Sequence, residues 1–212
     1  YFTAPGFYRD ALRDGRDLSP GTNGLLLGLV AASLGVATTR AAQLAAAHPD
    51  TMHVLAALPR SLRAVLAQGI EHPALAGLVG GTGSLGVLLL WMGALVLAAR
   101  LETRVSLAQG LVLVTWPCWP VLGALPIALA TGPGAPLSPH LFAFIALGGG
   151  ALALVSVSLR VLFDFWRTTE APTWTLPPLF ALSPLALTGI VLLVAIQAGV
   201  PFRFLWHLVV HT

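Results

Sequence analysis

Six histidines are the side chains of this 212-residue chain best suited to hold a metal or a haem iron. His207 and His211 are four residues apart, so on a helix they share one face. His140 opens the fourth of five long apolar runs, at the membrane level where the fifth run ends. Neutral imidazoles grouped this way could take a divalent metal or an axial haem position. The competing reading is that half-polar histidines collect at membrane interfaces, and only Asp50 and Glu71 supply carboxylates on that side. No metal site is assigned. His140, His207 and His211 stand as the cofactor-binding candidates.

Other chemistry is thinly supplied. Gly81-Thr82-Gly83-Ser84-Leu85-Gly86 matches the dinucleotide fingerprint GxGxxG, with Glu102 near the ribose-binding spacing. That fingerprint needs a preceding strand and a βαβ unit, whereas here a helix-length apolar run follows and no strand pattern exists. No Asp or Glu falls inside an apolar run, so a buried carboxylate of the kind used in proton-coupled transport or intramembrane hydrolysis is not expected. Ser156 and Ser158 lack a paired base, and Gln43, Gln109 and Gln197 suit interhelical hydrogen bonds. The lone Cys118 reads as a small buried hydrophobe and excludes an intramolecular disulfide. Trp91, Trp116 and Trp119 lie well inside apolar runs, where they would line a pigment, quinone or lipid pocket or, more simply, fill bundle cavities. The chain is read as a non-enzyme.

The elements that position these residues follow from composition. Hydrophobic residues make up 57% and charged ones 9%, with mean hydropathy +0.86. Soluble domains carry about 25% charged residues, so the chain reads as an integral membrane protein. Its basic residues are all arginine and lie scattered among apolar runs, which argues against nucleic acid despite a pI near 10.0. Val105–Thr131 holds 27 residues with no ionisable side chain except Cys118, and carries Pro117, Pro120 and Pro126 as expected kinks. A bent span of this kind needs neighbouring helices to satisfy the carbonyls that proline frees.

The expected fold is all-α, a polytopic helical bundle with spans near 25–46, 76–99, 105–131, 141–162 and 179–201. Two segments, 3–17 and 50–71, read as amphipathic interfacial helices, the second interrupted near Pro59. Gly77, Gly81, Gly83 and Gly86, with Gly148, Gly149 and Gly150, offer surfaces for close helix packing. Phe163, Phe165, Trp166 and Trp174 suit an interfacial belt. No signal-peptide pattern is read at the start. Five spans put the termini on opposite sides. Seven arginines (9, 13, 16, 100, 104, 160 and 167) share the N-terminal side and four (40, 60, 63 and 203) the other. The positive-inside rule then places the N-terminus in the cytoplasm and the C-terminus in the periplasm.

The arrangement resembles the Yip domain family of five-span membrane proteins. The matching features are Pro5-Gly6-Phe7-Tyr8-Arg9, then Gly21-Thr22-Asn23-Gly24 running into the first span, then the hairpin into a proline-bearing third span from Arg104 to Pro126. The Tyr-Gly-Pro segment of the eukaryotic, vesicle-trafficking members has no counterpart, so the resemblance implies an architecture rather than an activity. The alanine- and arginine-rich, lysine-free composition looks like that of a high-GC bacterium, which implies the inner (cytoplasmic or intracytoplasmic) membrane. The expected role is a non-enzymatic accessory or scaffold subunit of a larger complex, respiratory or photosynthetic, with the bilayer and other integral subunits as partners. Two alternatives are a small-molecule or lipid transporter and a haem- or metal-binding protein. No resident cofactor is expected, bound lipids or pigments being left open.

Overall fold

The computed structural model describes residues 19–47, 51–100, 106–131, 138–169 and 172–197; these are helical, and no strand occurs among them. The first helix, α1 (Pro20–Ala47), is set by Ser19, whose hydroxyl accepts from the Thr22 N–H at 3.4 Å, and by Pro20, a residue pre-shaped for a first helical turn. Two short helices follow, α2 (Thr51–Ala57) and α3 (Arg60–Glu71), broken at Leu58 and Pro59. The single interrupted helix expected over 50–71 is thus two helices. Arg63 holds the corner by donating from Nη2 to the carbonyls of Ala56 and Leu58. Pro73 then starts α4 (Pro73–Ala99).

The proline-bearing stretch begins as α5 (Leu107–Thr115), capped reciprocally by Ser106 and Gln109. Gln109, expected between helices, accepts from the Ser106 N–H at 2.7 Å while its own N–H donates to the Ser106 hydroxyl. The chain tightens into a 3₁₀ stretch at Trp116–Gly123 and relaxes into α6 (Ala124–Leu129). Pro117 and Pro120 cause this, since each removes a donor and its ring crowds the preceding turn. Then come α7 (Pro139–Thr169), a 3₁₀ turn at Thr173–Thr175, α8 (Leu176–Ala181) and α9 (Pro184–Gln197).

Four helical stretches are long and apolar enough to cross a membrane: α1, α4, Leu107–Leu129 and Phe144–Thr169. The fifth expected span is a pair, Thr173–Ala181 and Pro184–Gln197, bent by 46°. The core joins these elements through Leu27 and Val30 of α1, Trp91 and Leu95 of α4, Val112 to Val114 of α5, Val161 and Phe165 of α7, and Leu179 of α8.

The closest contact is between α1 and α4. A Cβ on Gly35 would sit 2.9 Å from the Gly77 carbonyl oxygen, and one on Gly77 would sit 2.7 Å from the Gly35 carbonyl oxygen. One turn further along, a Cβ on Gly81 would come within 2.9 Å of the Ala31 carbonyl oxygen. Backbone meets backbone here, as small residues at i and i+4 permit in apolar surroundings. Gly83 and Gly86, on the same helix, would present a Cβ to open space. Gly81→Ala therefore lowers stability by ~1–3 kcal/mol through overpacking, whereas Gly83→Ala is neutral or gains up to ~1 kcal/mol of helix propensity. Unfolding of the two variants in mixed micelles measures the contrast.

Candidate functional site

Two breaks in apolar helices are where this bundle departs from plain rods, and each is tied to another helix by a polar side chain. At the α8–α9 break, Pro184 has no N–H to give the Phe180 carbonyl, so the Ser183 N–H bonds there instead, at 2.9 Å. That shift strands the Leu179 carbonyl, and fully buried Trp91 of α4 donates its indole N–H to it at 3.0 Å. The opening turn of α9 also needs acceptors. Ser158 of α7 accepts from the Leu185 N–H at 3.3 Å, and Ser183 accepts from the Ala186 N–H at 3.2 Å. Both serines are buried. Ser158, singled out in the sequence for lacking a base, is thus a cap for a neighbouring helix.

At the third-stretch break, Trp116 donates its indole N–H to the Asn23 side-chain oxygen at 2.8 Å, and the Asn23 amide donates to the Ser19 carbonyl at 2.8 Å. The Cys118 thiol donates to the Val114 carbonyl and is buried. Thr115, at the last α-helical residue before the tightening, has a buried hydroxyl with no hydrogen-bond partner among the described residues. Trp119 is exposed, so of the three internal tryptophans Trp91 and Trp116 act as polar struts and Trp119 faces outward. At the opposite end, Arg40 of α1 donates from Nε to the Thr131 hydroxyl at 2.8 Å and from Nη1 to Gln43 at 2.9 Å. This ties the end of α1 to the end of the third stretch.

Two sequence readings need correction. The fourth apolar helix continues past Leu162 to Thr169, and its last turns hold a buried carboxylate: Asp164 is 1% exposed. Val157, Val161, Asp164 and Phe165 share its inward side, a three- and four-residue rhythm that continues through the polar-looking segment and was the available signal. Asp164 lies 3.8 Å from Arg160. Phe165, expected in an interfacial belt, is fully buried on the same stripe, whereas Phe163, Trp166 and Trp174 are exposed.

Of the histidine candidates, His140 lies in the first turn of α7, and His207 and His211 fall outside the described residues. Among the described residues no three His, Cys, Asp or Glu side chains gather at metal-ligand range. The segment 3–17 and Glu102 also fall outside the described residues. The GxGxxG stretch, Gly81 to Gly86, is mid-helix with no strand before it among the described residues, which is the wrong context for a phosphate cradle. Gly148 and Gly150 would present a Cβ to open space, and Gly149 only to Ile145 of its own helix.

No family model matches the chain, and no curated protein or solved structure matches it. What the arrangement does chemically is supply hydrogen-bond partners at two breaks between apolar helices. Ser158→Ala is expected to cost about 1 kcal/mol, the net worth of one buried hydrogen bond. Hydrogen exchange followed by mass spectrometry would show faster exchange at the start of α9 and unchanged exchange in α4.

Proposed function

We propose that the chain is a five-span integral membrane protein acting as a non-enzymatic accessory or scaffold subunit of a larger bacterial membrane complex. The observation that carries this reading is a pair of uncovered stretches, one on α9 and one on α7. No residue of α9 is buried, and residues 146–152 of α7 are all exposed, nearly two full turns with no covered side. Exposure to lipid alone would be ordinary. What distinguishes this surface is Gly148-Gly149-Gly150, each of which lowers helix propensity by ~1 kcal/mol relative to alanine and contributes no side chain to pack. Small residues on a lipid-level helix favour close approach by another helix. The same residue type serves that purpose between α1 and α4.

In this reading the bent pair α8–α9 is the fifth span. The short helices α2 and α3 lie in the interface, with Val65 and Leu66 exposed beside Arg60 and Arg63 so that one flank meets acyl chains. The cytoplasmic N-terminus rests on Arg9, Arg13, Arg16 and Arg104, because the described arginines divide evenly between the two ends. The Yip domain resemblance supports the same architecture. A second reading, a transporter for a small neutral or lipidic substrate, draws on the two breaks, since transporters build substrate sites from discontinuous helices.

Extraction in mild detergent at native expression, native-gel separation and mass spectrometry of the band test the proposal. The accessory-subunit reading expects migration within a defined assembly much larger than 22.1 kDa. Migration as a lone, monodisperse species contradicts it and moves the weight to transport.

A further inference from the structure

The last three and a half turns of α7 divide by side, with only Thr168 intermediate. At 100° per residue, Leu159, Arg160, Phe163, Trp166 and Arg167 fall within one arc of ~120°, and all five are exposed. Val157, Ser158, Val161, Leu162, Asp164, Phe165 and Thr169 occupy the remaining sector, and all are buried. The exposed arc is neither a plain lipid face nor a plain water face. It holds two guanidiniums seven residues apart, ~10 Å along the axis, with two aromatic rings between them. The Arg167 guanidinium lies over the Phe163 ring, 4.7 Å from its centroid. Phe163 and Trp166 are each 43% exposed.

From Pro139 to Leu159 α7 contains 21 residues, 159 − 139 + 1, all uncharged except for His140. These cover about 31 Å, the thickness of a bilayer's hydrocarbon core. In a span that starts at Pro139, Arg160 is the first charged residue at its far end, and Arg167 follows about two turns further along the axis. Among the described residues the one carboxylate beside them is Asp164, whose side chain is 2% exposed and lies 3.8 Å from Arg160, while the Arg160 side chain remains 53% exposed. Glu170, three residues past Arg167, lies outside the described residues. Arg100 and exposed Trp174 stand at the same end of the bundle.

We propose that Arg160 and Arg167, with Phe163 and Trp166, form a binding surface for the phosphate headgroup of an anionic phospholipid. The guanidiniums supply charge and paired donors to the phosphate, and the rings sit at the depth where aromatic side chains anchor in the interface. The site belongs to the outer surface of α7 and does not depend on the uncovered Gly148–Gly150 surface or on the accessory-subunit reading.

The test uses the full chain in mild-detergent micelles doped with phosphatidylglycerol or phosphatidylcholine, with retained lipid counted by native mass spectrometry. Phosphatidylglycerol is retained preferentially by the unaltered chain. Arg160→Gln/Arg167→Gln weakens that retention about thirtyfold, which corresponds to ~1 kcal/mol for each arginine at a membrane surface. Arg160→Lys/Arg167→Lys, which keeps the charge, keeps most of it, and inorganic phosphate at millimolar concentration does not displace the lipid. Equal retention of the two lipids by the unaltered chain overturns the proposal and returns the arc to a protein contact. Undiminished phosphatidylglycerol retention by the glutamine variant overturns it as well, and full displacement by phosphate marks a free-anion site instead. If the glutamine variant fails to fold, the comparison of the two lipids on the unaltered chain and the lysine variant decides.

Discussion

An apolar helix that breaks in apolar surroundings leaves backbone groups with nothing to bond, and each such group costs several kcal/mol in hydrocarbon. Much of this bundle's architecture answers that constraint. Pro184 breaks the last helix, the Ser183 N–H shifts to the Phe180 carbonyl, and the Leu179 carbonyl this leaves over is taken by Trp91. The first amides of α9 are met by Ser158 and Ser183. Because Trp91 belongs to α4 and Ser158 to α7, satisfying the break also fixes three helices relative to one another. Asn23 with Trp116, and Arg40 with Thr131, do the same between α1 and the third stretch. A few polar contacts set the geometry of a surface that is otherwise interchangeable aliphatic packing.

Close backbone approach is the complementary device. Without water to drive apolar side chains together, helices in lipid gain from contact itself, and contact is best where side chains are smallest. Gly35, Gly77 and Gly81 bring α1 and α4 together in this way, and the core radiates from that pair through Leu27, Val30, Trp91 and Leu95. On α7 the same residue type, at Gly148 to Gly150, would present a Cβ to no other helix among the described residues. One chain therefore carries both a used and an unused small-residue surface.

The helical class and the apolar stretches were legible in the sequence because hydropathy over ~20 residues is a strong signal. The prolines at 117 and 120 were legible as a distortion, though not as eight residues of 3₁₀ helix, which depends on how neighbours accommodate the missing donors. Less visible was anything that depends on which way a side chain points. Asp164 and Arg160 are both charged and four residues apart, yet one is buried and the other half-exposed, a difference set by helix phase relative to Val157, Val161 and Phe165. Gln109 looked like an interhelical contact and instead closes a capping box, a role announced by Ser106 three residues earlier. The glycines at 77, 81, 83 and 86 looked equivalent, but only the four-residue pair meets α1.

The central claim is that the Gly148–Gly150 and α9 surface receives another integral subunit. Photo-crosslinking in intact native membranes tests it most directly, with a photoreactive side chain at Gly149 or Leu193 and, as control, at exposed Leu97 of α4. The account predicts a discrete crosslinked protein band from Gly149 and Leu193 and lipid adducts alone from Leu97. Lipid adducts alone from all three positions would contradict it.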